Sequence, residues 1–147
     1  MTDVAFHTGI ADPVDYGCRL LRKAVRSGAR VAVFGPPALL DRLDKALWVF
    51  DPLEFLPHLA LPRDGGDAAK VGRTPVLLCA DGRVPDGCGI AVALDMAPEA
   101  GVHATGFARV IEIVGEAPEA RQAGRQRWRA YEQAGLAPQH VNAAAAR

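Results

Sequence analysis

The stretch "ADPVDYGCRLLRKAVRSGARVAVFG", residues 11–35, sets the fold class of this chain. Asp12 is a good helix N-cap, Pro13 suits the first helical position, and Gly28 can end the helix in a left-handed conformation. The apolar residues recur at helical spacing and form one stripe: Val14, Cys18, Leu21 and Val25. The residues that follow, "RVAVFG" (30–35), are almost continuously apolar and predict a short buried strand.

The alternation of strand and helix continues on both sides of this stretch. Before it, "DVAFHT" (3–8) predicts a strand, and after it "PPALLDRLDKALWVF" (36–50) predicts a second amphipathic helix. Three more strands and a final helix are predicted at 75–80, 89–95, 108–115 and 117–135. Strands that alternate with helices predict an α/β fold, here a Rossmann-like, three-layer arrangement with a mainly parallel sheet flanked by helices.

Three segments have weaker local signals. Residues 51–74 contain three prolines and a Gly-Gly pair, and they predict a long ordered loop that ends in a mobile stretch. Residues 97–107 are consistent with a short helix, and the alanine-rich residues 136–147 predict a flexible tail. We interpret residues 1–147 as a single α/β domain, because this length suits one domain of ordinary size.

Composition and local patterns argue against a basic nucleic-acid binder, a secreted protein and a membrane protein. Lysine plus arginine and aspartate plus glutamate number 17 each, so the net charge is zero and any anion contact must be a local patch. The N-terminus lacks the pattern of a signal peptide, and no apolar run approaches the roughly 20 residues that a membrane helix needs. The cysteines number three and form no CxxC pair, so the sequence suggests neither a disulfide framework nor a zinc site. We therefore expect a cytoplasmic protein without membrane contact.

Motifs for catalysis or cofactor binding are absent from the sequence. Neither GxGxxG, GxxxxGK[ST] nor GxSxG occurs, and none of the four histidines has a partner at metal-ligand spacing. We predict no catalytic residues, no metal site and no cofactor. A nucleotide-binding enzyme stays an alternative because a helix N-terminus attracts phosphate, although Pro36 and Pro37 remove N–H donors there.

The segment "RQRWRAYEQAG", residues 125–135, carries the most informative pattern. On a helical wheel Gly124, Trp128 and Tyr131 share an apolar stripe, while four arginines and no acid lie between Arg121 and Arg129. A groove with an apolar floor and guanidinium rims suits an acidic peptide that ends in a hydrophobic residue. Two alternatives stay open: a solvated helix with Trp128 in the core, and a site for single-stranded nucleic acid.

Two segments together resemble one family. "RLDKALWVFDPLEFLPH" (42–58) is similar to the RLDxxLW…FxPH segment of the chi subunit of bacterial DNA polymerase III holoenzyme. "RQRWRAYEQAG" resembles that family's C-terminal helix, R-x-R-aromatic-[KR]-x-Y-x-x-AG, and the resemblance covers nearly the whole chain. It implies a non-catalytic accessory protein that links the clamp loader to the coated lagging-strand template. The link is made through the acidic C-terminal tail of single-stranded DNA-binding protein, which ends in phenylalanine.

The resemblance also implies a tail-binding site. By position, Arg125 would bind the terminal carboxylate of the tail, and Arg121 and Arg129 would meet the acids upstream. Trp128 and Val114 would line the pocket for the phenylalanine ring. Where this chain has Trp128 and Arg129 the family often has tyrosine and lysine, and both differences keep the chemistry.

A second surface implied by the resemblance binds the psi subunit, which tethers chi to the clamp loader. Its candidate anchors are Trp48 and Phe55, in a stretch with more large apolar residues than a segment near a loop needs. Psi, or an equivalent clamp-loader or helicase partner, is the expected occupant, and contact with DNA is expected to be mainly indirect. The alternative is that Trp48 and Phe55 close the core.

Overall fold

Seven strands and four helices form the part of the chain that the computed structural model describes, residues 2–51, 53, 55–61, 68–80, 85–96 and 106–143. The strands are β1 (Asp3–Ile10), β2 (Val31–Phe34), β3 (His58–Ala60), β4 (Val76–Cys79), β5 (Ile90–Leu94), β6 (Arg109–Gly115) and β7 (Gln139–Asn142). The helices are α1 (Pro13–Arg26), α2 (Pro37–Val49), α3 (Ala68–Arg73) and α4 (Pro118–Gln133).

The strands form one sheet in the order β3-β4-β2-β5-β6-β1-β7, and every pairing is parallel. Helices α1 and α2 pack on one face of this sheet. Residues of α3 and α4 belong to the apolar cluster on the opposite face. The predicted three-layer, Rossmann-like α/β class is confirmed, and among the described residues the sheet is entirely parallel.

Burial on both faces explains the continuous apolar runs of the central strands. In β2, Val31 and Val33 join the cluster under α1 and α2, whereas Ala32 and Phe34 join the cluster on the other face. All four side chains are buried. A strand covered by helices on both sides has no polar face, so its sequence loses the alternation of a half-exposed strand.

Helix α1 begins and ends where its sequence predicts. The carboxylate of Asp12 accepts a hydrogen bond from the Asp15 backbone N–H at 3.1 Å, and Pro13 begins the helix. Gly28 follows with φ of 86°, a left-handed conformation that suits a residue without a side chain. Leu21 is fully buried against the sheet, so the predicted apolar stripe is the face that α1 packs.

Two predictions about irregular segments are wrong in part. Residues 51–74, expected to form a loop, contain β3 and α3. Residues 136–147, expected to be a flexible tail, contain β7, which pairs with β1 from Ala5–Gln139 to Thr8–Asn142. Short edge strands are stabilised by hydrogen bonds to a neighbouring strand, so their own sequences carry little signal. The helix expected at 97–107 lies mostly outside the described residues.

No helix in the described part of the chain is both long and apolar enough to cross a membrane.

Replacing Leu43 by alanine tests the role of the α2 stripe in the core. Leu43 is 0% exposed, and a buried leucine truncated to alanine costs about 2–5 kcal/mol of unfolding free energy. On the same helix, Val49→Ala serves as the control, because Val49 is 77% exposed and its loss should cost under about 0.5 kcal/mol. Chemical denaturation measures both. Equal costs for the two variants would contradict this packing.

Candidate functional site

A cleft of about 740 Å³ lies on the α4 face of the sheet, beside its β1 and β7 edge. Its lining residues come from β1, β6, α4 and β7 and from the turn after β6: Phe6, Thr8, Gly9, Val114, Glu116, Arg121, Gly124, Arg125, Trp128, Arg129, Glu132, His140 and Asn142. All five residues that the sequence assigned to a tail-binding site are among them, so residues from β6 and from three turns of α4 meet in one cavity.

The floor of the cleft is apolar and closely packed. A Cβ atom at Gly124 would lie 3.2 Å from both methyl groups of Val114, so α4 packs on β6 too closely for an alanine to fit without a small shift. Trp128 is half-buried on the next turn, and its ring packs against Phe6 with centroids 5.1 Å apart. Because the small Gly124 stands beside the large indole, the helix leaves an apolar recess next to Trp128.

Three arginines form the rim of the cleft. Arg121, Arg125 and Arg129 follow one another at four-residue steps along α4, and all three are exposed. Among the described residues none of them forms an ion pair; Arg125 contacts only the side-chain oxygen of Gln122, at 3.4 Å. Guanidinium groups without carboxylate partners are available to bind a carboxylate ligand. Glu116 and Glu132 also line the cleft, so its positive charge is confined to the row between them.

The wall opposite the arginines comes from β1 and β7 and was not predicted from the sequence. It carries Thr8, His140 and Asn142, and the Thr8 hydroxyl is hydrogen-bonded to His140 Nε2. Parallel pairing of β7 with β1 brings His140 beside Phe6 and Asn142 beside Thr8. His140 and Asn142 lie in the segment expected to be a tail, and no motif there indicates a strand.

Arg127 is the fourth arginine of the helix, and it points inward. It is 2% exposed and pairs with Glu112 of β6, which is 0% exposed. Burial raises the pKa of Glu112, and the Arg127 guanidinium and a hydrogen bond from Tyr131 oppose that shift. Arg127 was counted among the four arginines of this helix, but no partner was predicted for it from the sequence. A signal was present, since Glu112 interrupts an otherwise apolar strand.

Trp48 and Phe55 lie together on a different surface. Trp48 is 58% exposed and Phe55 is 65% exposed, and their rings stack with centroids 5.4 Å apart. The alternative that they close the core is therefore wrong. Below them His58 is buried, with its ring edge-on to Trp48 and its Nδ1–H donating to the Leu56 carbonyl at 2.8 Å. We call the exposed set of Trp48, Val49, Leu53 and Phe55 the aromatic patch.

Three further features bear on chemistry elsewhere in the protein: the start of α2, the buried Cys18 thiol and the possible metal ligands. At the start of α2, Pro36 caps the helix without a side-chain hydrogen bond. Burial raises the pKa of the Cys18 thiol to about 11, so it is a protonated and unreactive thiol at neutral pH. Within the described ranges no group of three or more histidine, cysteine, aspartate or glutamate side chains is arranged to hold a metal ion.

Two sequence comparisons with known proteins agree on one family. The sequence model described as "DNA polymerase III chi subunit, HolC" matches residues 1–139. A curated DNA polymerase III subunit chi of Pseudomonas aeruginosa is 33% identical over 140 residues, which cover 92% of each chain. Among solved structures, the C-terminal part of the Fun30 ATPase domain is similar, with a TM-score of 0.60 and 13% identity. That match covers 78% of this chain and 44% of the other, and it indicates a shared fold only.

The two tryptophans offer a direct test of the two surfaces. Trp128→Phe leaves only Trp48, which should be strongly quenched by acrylamide because most of its ring faces solvent. Trp48→Phe leaves only Trp128, which should be quenched less and emit at shorter wavelength, because α4 and Phe6 half-bury it. Fluorescence of the two variants measures this difference. Equal quenching would show that one of the two placements is wrong.

Proposed function

Because the chain belongs to the DNA polymerase III chi subunit family, we propose that it is a non-catalytic adaptor that binds the acidic C-terminal tail of single-stranded DNA-binding protein. The tail binds in the cleft between α4 and the edge formed by β1 and β7. Through this contact the protein connects the clamp-loader complex to template that is coated by single-stranded DNA-binding protein during replication.

The observation that carries this proposal is the joint presence in one cleft of an apolar recess and three guanidinium groups that form no ion pair with a described residue. A peptide that ends in phenylalanine offers a ring, a terminal carboxylate and acidic side chains within a few residues of one another. The recess between Val114, Gly124 and Trp128 suits the ring. Bidentate hydrogen bonds from arginine to a carboxylate combine charge with direction. A carboxylate site next to a recess for a ring favours a peptide whose last residue is phenylalanine.

We propose a role for each arginine, and the spacing of the three along the helix supports it. Arg125 is the middle member of the row, directly follows Gly124 and lies about one turn before Trp128 on the same helix, so we assign it to the terminal carboxylate. Arg121 and Arg129 are each about 6 Å along the helix axis from Arg125. That separation lets them meet the acidic side chains upstream of the phenylalanine. The Thr8 and His140 side chains complete the opposite wall as hydrogen-bonding groups.

The aromatic patch is the proposed second contact. Large exposed aromatic side chains are enriched at the centres of protein interfaces, and a stacked pair with Val49 and Leu53 beside it exposes more apolar surface than isolated residues do. We assign it to psi, or to an equivalent clamp-loader or helicase partner. With one partner on each surface, the protein acts as a physical link.

Tail binding is tested with a fluorescent acidic peptide that ends in phenylalanine. We expect micromolar affinity, weakened by salt because the rim arginines are exposed. Arg125→Ala should lower affinity by about 10- to 100-fold, the loss expected for a charge-assisted hydrogen bond. Removing the terminal phenylalanine should abolish binding. Fluorescence anisotropy measures each change.

The matched control is Arg19→Ala, which removes an exposed arginine of α1 whose partner is Asp15. It should leave peptide affinity unchanged. If the peptide binds equally well to the Arg125→Ala protein, or without its phenylalanine, the tail site is wrongly assigned. Tight binding of bare single-stranded DNA to the wild-type protein would instead favour a direct nucleic-acid binder.

Phe55→Ser tests the aromatic patch. It should weaken binding of purified psi by at least about tenfold, as the loss of a central aromatic anchor does, and leave tail-peptide affinity unchanged. Arg125→Ala is the reciprocal control, because it should reduce peptide affinity without changing psi affinity. Titration calorimetry of both ligands measures the four values. Unchanged psi binding by both Phe55→Ser and Trp48→Ala would exclude the patch as the psi surface.

A further inference from the structure

We infer that the buried Glu112–Arg127 pair is the positioning device of the cleft: it fixes the rotation and height of α4 on the sheet and thereby places Trp128 and Gly124 over Val114. The ligand of the cleft rests on the proposed function, but the positioning itself is a property of the free protein. Neither charged residue lines the cleft, so the role is indirect.

Arg127, on α4, forms hydrogen bonds to β6 and to the residues that follow β5. Its Nε–H donates to Glu112 Oε1 of β6 at 2.9 Å, and its Nη1–H donates to the backbone carbonyl of Met96, which follows β5. The other Glu112 oxygen accepts a hydrogen bond from the Tyr131 hydroxyl at 2.8 Å. Both carboxylate oxygens are therefore used, and α4 is attached by two side chains one turn apart.

The location of Glu112 on β6 connects this pair to the cleft floor. Glu112 and Val114 are two residues apart on a strand, so their side chains point to the same face of the sheet. Val114 contacts α4 at Gly124, and Glu112 contacts it at Arg127, three residues further on. The helix is therefore held at two points, Gly124 on Val114 and Arg127 on Glu112. Two such points set both the direction of the helix and its rotation about its axis.

The rotation of α4 about its own axis matters because Trp128 and Gly124 line the cleft only in one orientation of the helix. A shift of one residue turns an α-helix by about 100°, which would carry Trp128 away from Phe6 and a larger side chain toward Val114. A purely apolar contact between α4 and β6 would resist such a shift weakly, since apolar packing has no direction. A charged pair with several directed hydrogen bonds accepts one arrangement, and leaving either partner unpaired is strongly unfavourable.

Glu112→Leu combined with Arg127→Met tests the inference, because it removes both charges together and fills the space with apolar side chains. Such replacements often preserve stability. We expect a folded protein whose tail-peptide affinity falls at least about tenfold. In the ¹⁵N spectrum of the free protein, the Trp128 indole N–H resonance should move or broaden, while that of Trp48 stays in place.

Leu43→Ala is the control for stability alone, because Leu43 lies on α2 on the opposite face of the sheet. It should lower stability without changing peptide affinity or the Trp128 resonance. Arg127→Lys is the second variant in case the double variant does not fold. It keeps the charge, but a single ammonium group lacks the planar fork that reaches both Glu112 and Met96. It should give the same two changes, smaller in size.

A folded double variant with wild-type affinity and an unmoved Trp128 resonance would overturn the inference, and so would an Arg127→Lys protein indistinguishable from wild type. If the wild-type protein does not bind the peptide but the Trp128 resonance still moves in the variants, the proposed function fails and the positioning role stands.

Discussion

The placement of α4 against β6 is the constraint on which the cleft depends, and Gly124 packs directly on Val114 there. Because a Cβ at position 124 would lie 3.2 Å from both valine methyls, an alanine here would require a shift of a few tenths of an ångström. This close packing brings the arginine row down toward the sheet and leaves the Trp128 ring standing beside a recess. The proposed recognition of a ring and of a carboxylate at one site depends on this placement of the helix.

Arginine has two different uses on α4, and the partner on the sheet decides between them. Arg127 is buried because Glu112 presents a carboxylate from the middle of an apolar strand, and Tyr131 and the Met96 carbonyl add one hydrogen bond each to the pair. Arg125 lies two residues earlier, on the opposite side of the helix, where no described acid reaches it. Glu112 neutralises the charge of the buried Arg127. Of the four arginines, the exposed Arg121, Arg125 and Arg129 have a charge available for a ligand.

Elements were predicted correctly where their own residues carry the signal, and they were missed where contacts with a distant part of the chain stabilise them. Helix α1 has its cap, proline and terminal glycine within its own residues, and β2 is apolar throughout, so local patterns were sufficient. Strand β7 is held by hydrogen bonds to β1, residues more than 130 positions away, and its own residues carry no strand signal. For the same reason the arginine row and Trp128 were predicted, whereas His140 was not. Thr8 lies in a predicted strand, but its place in the cleft depends on the pairing with β7.

The strand order makes the proposed adaptor role geometrically reasonable. The cleft is built at the β1 and β7 edge, whereas Trp48 of the aromatic patch packs on His58 of β3, the strand at the other edge. Six inter-strand steps of about 4.8 Å separate the two edges by roughly 29 Å. The patch also belongs to the α2 layer and the cleft to the α4 layer, so the sheet lies between them. Two ligands can therefore occupy the protein together without contact, and each surface can change its residues without altering the other, which is the arrangement that a link between two partners requires.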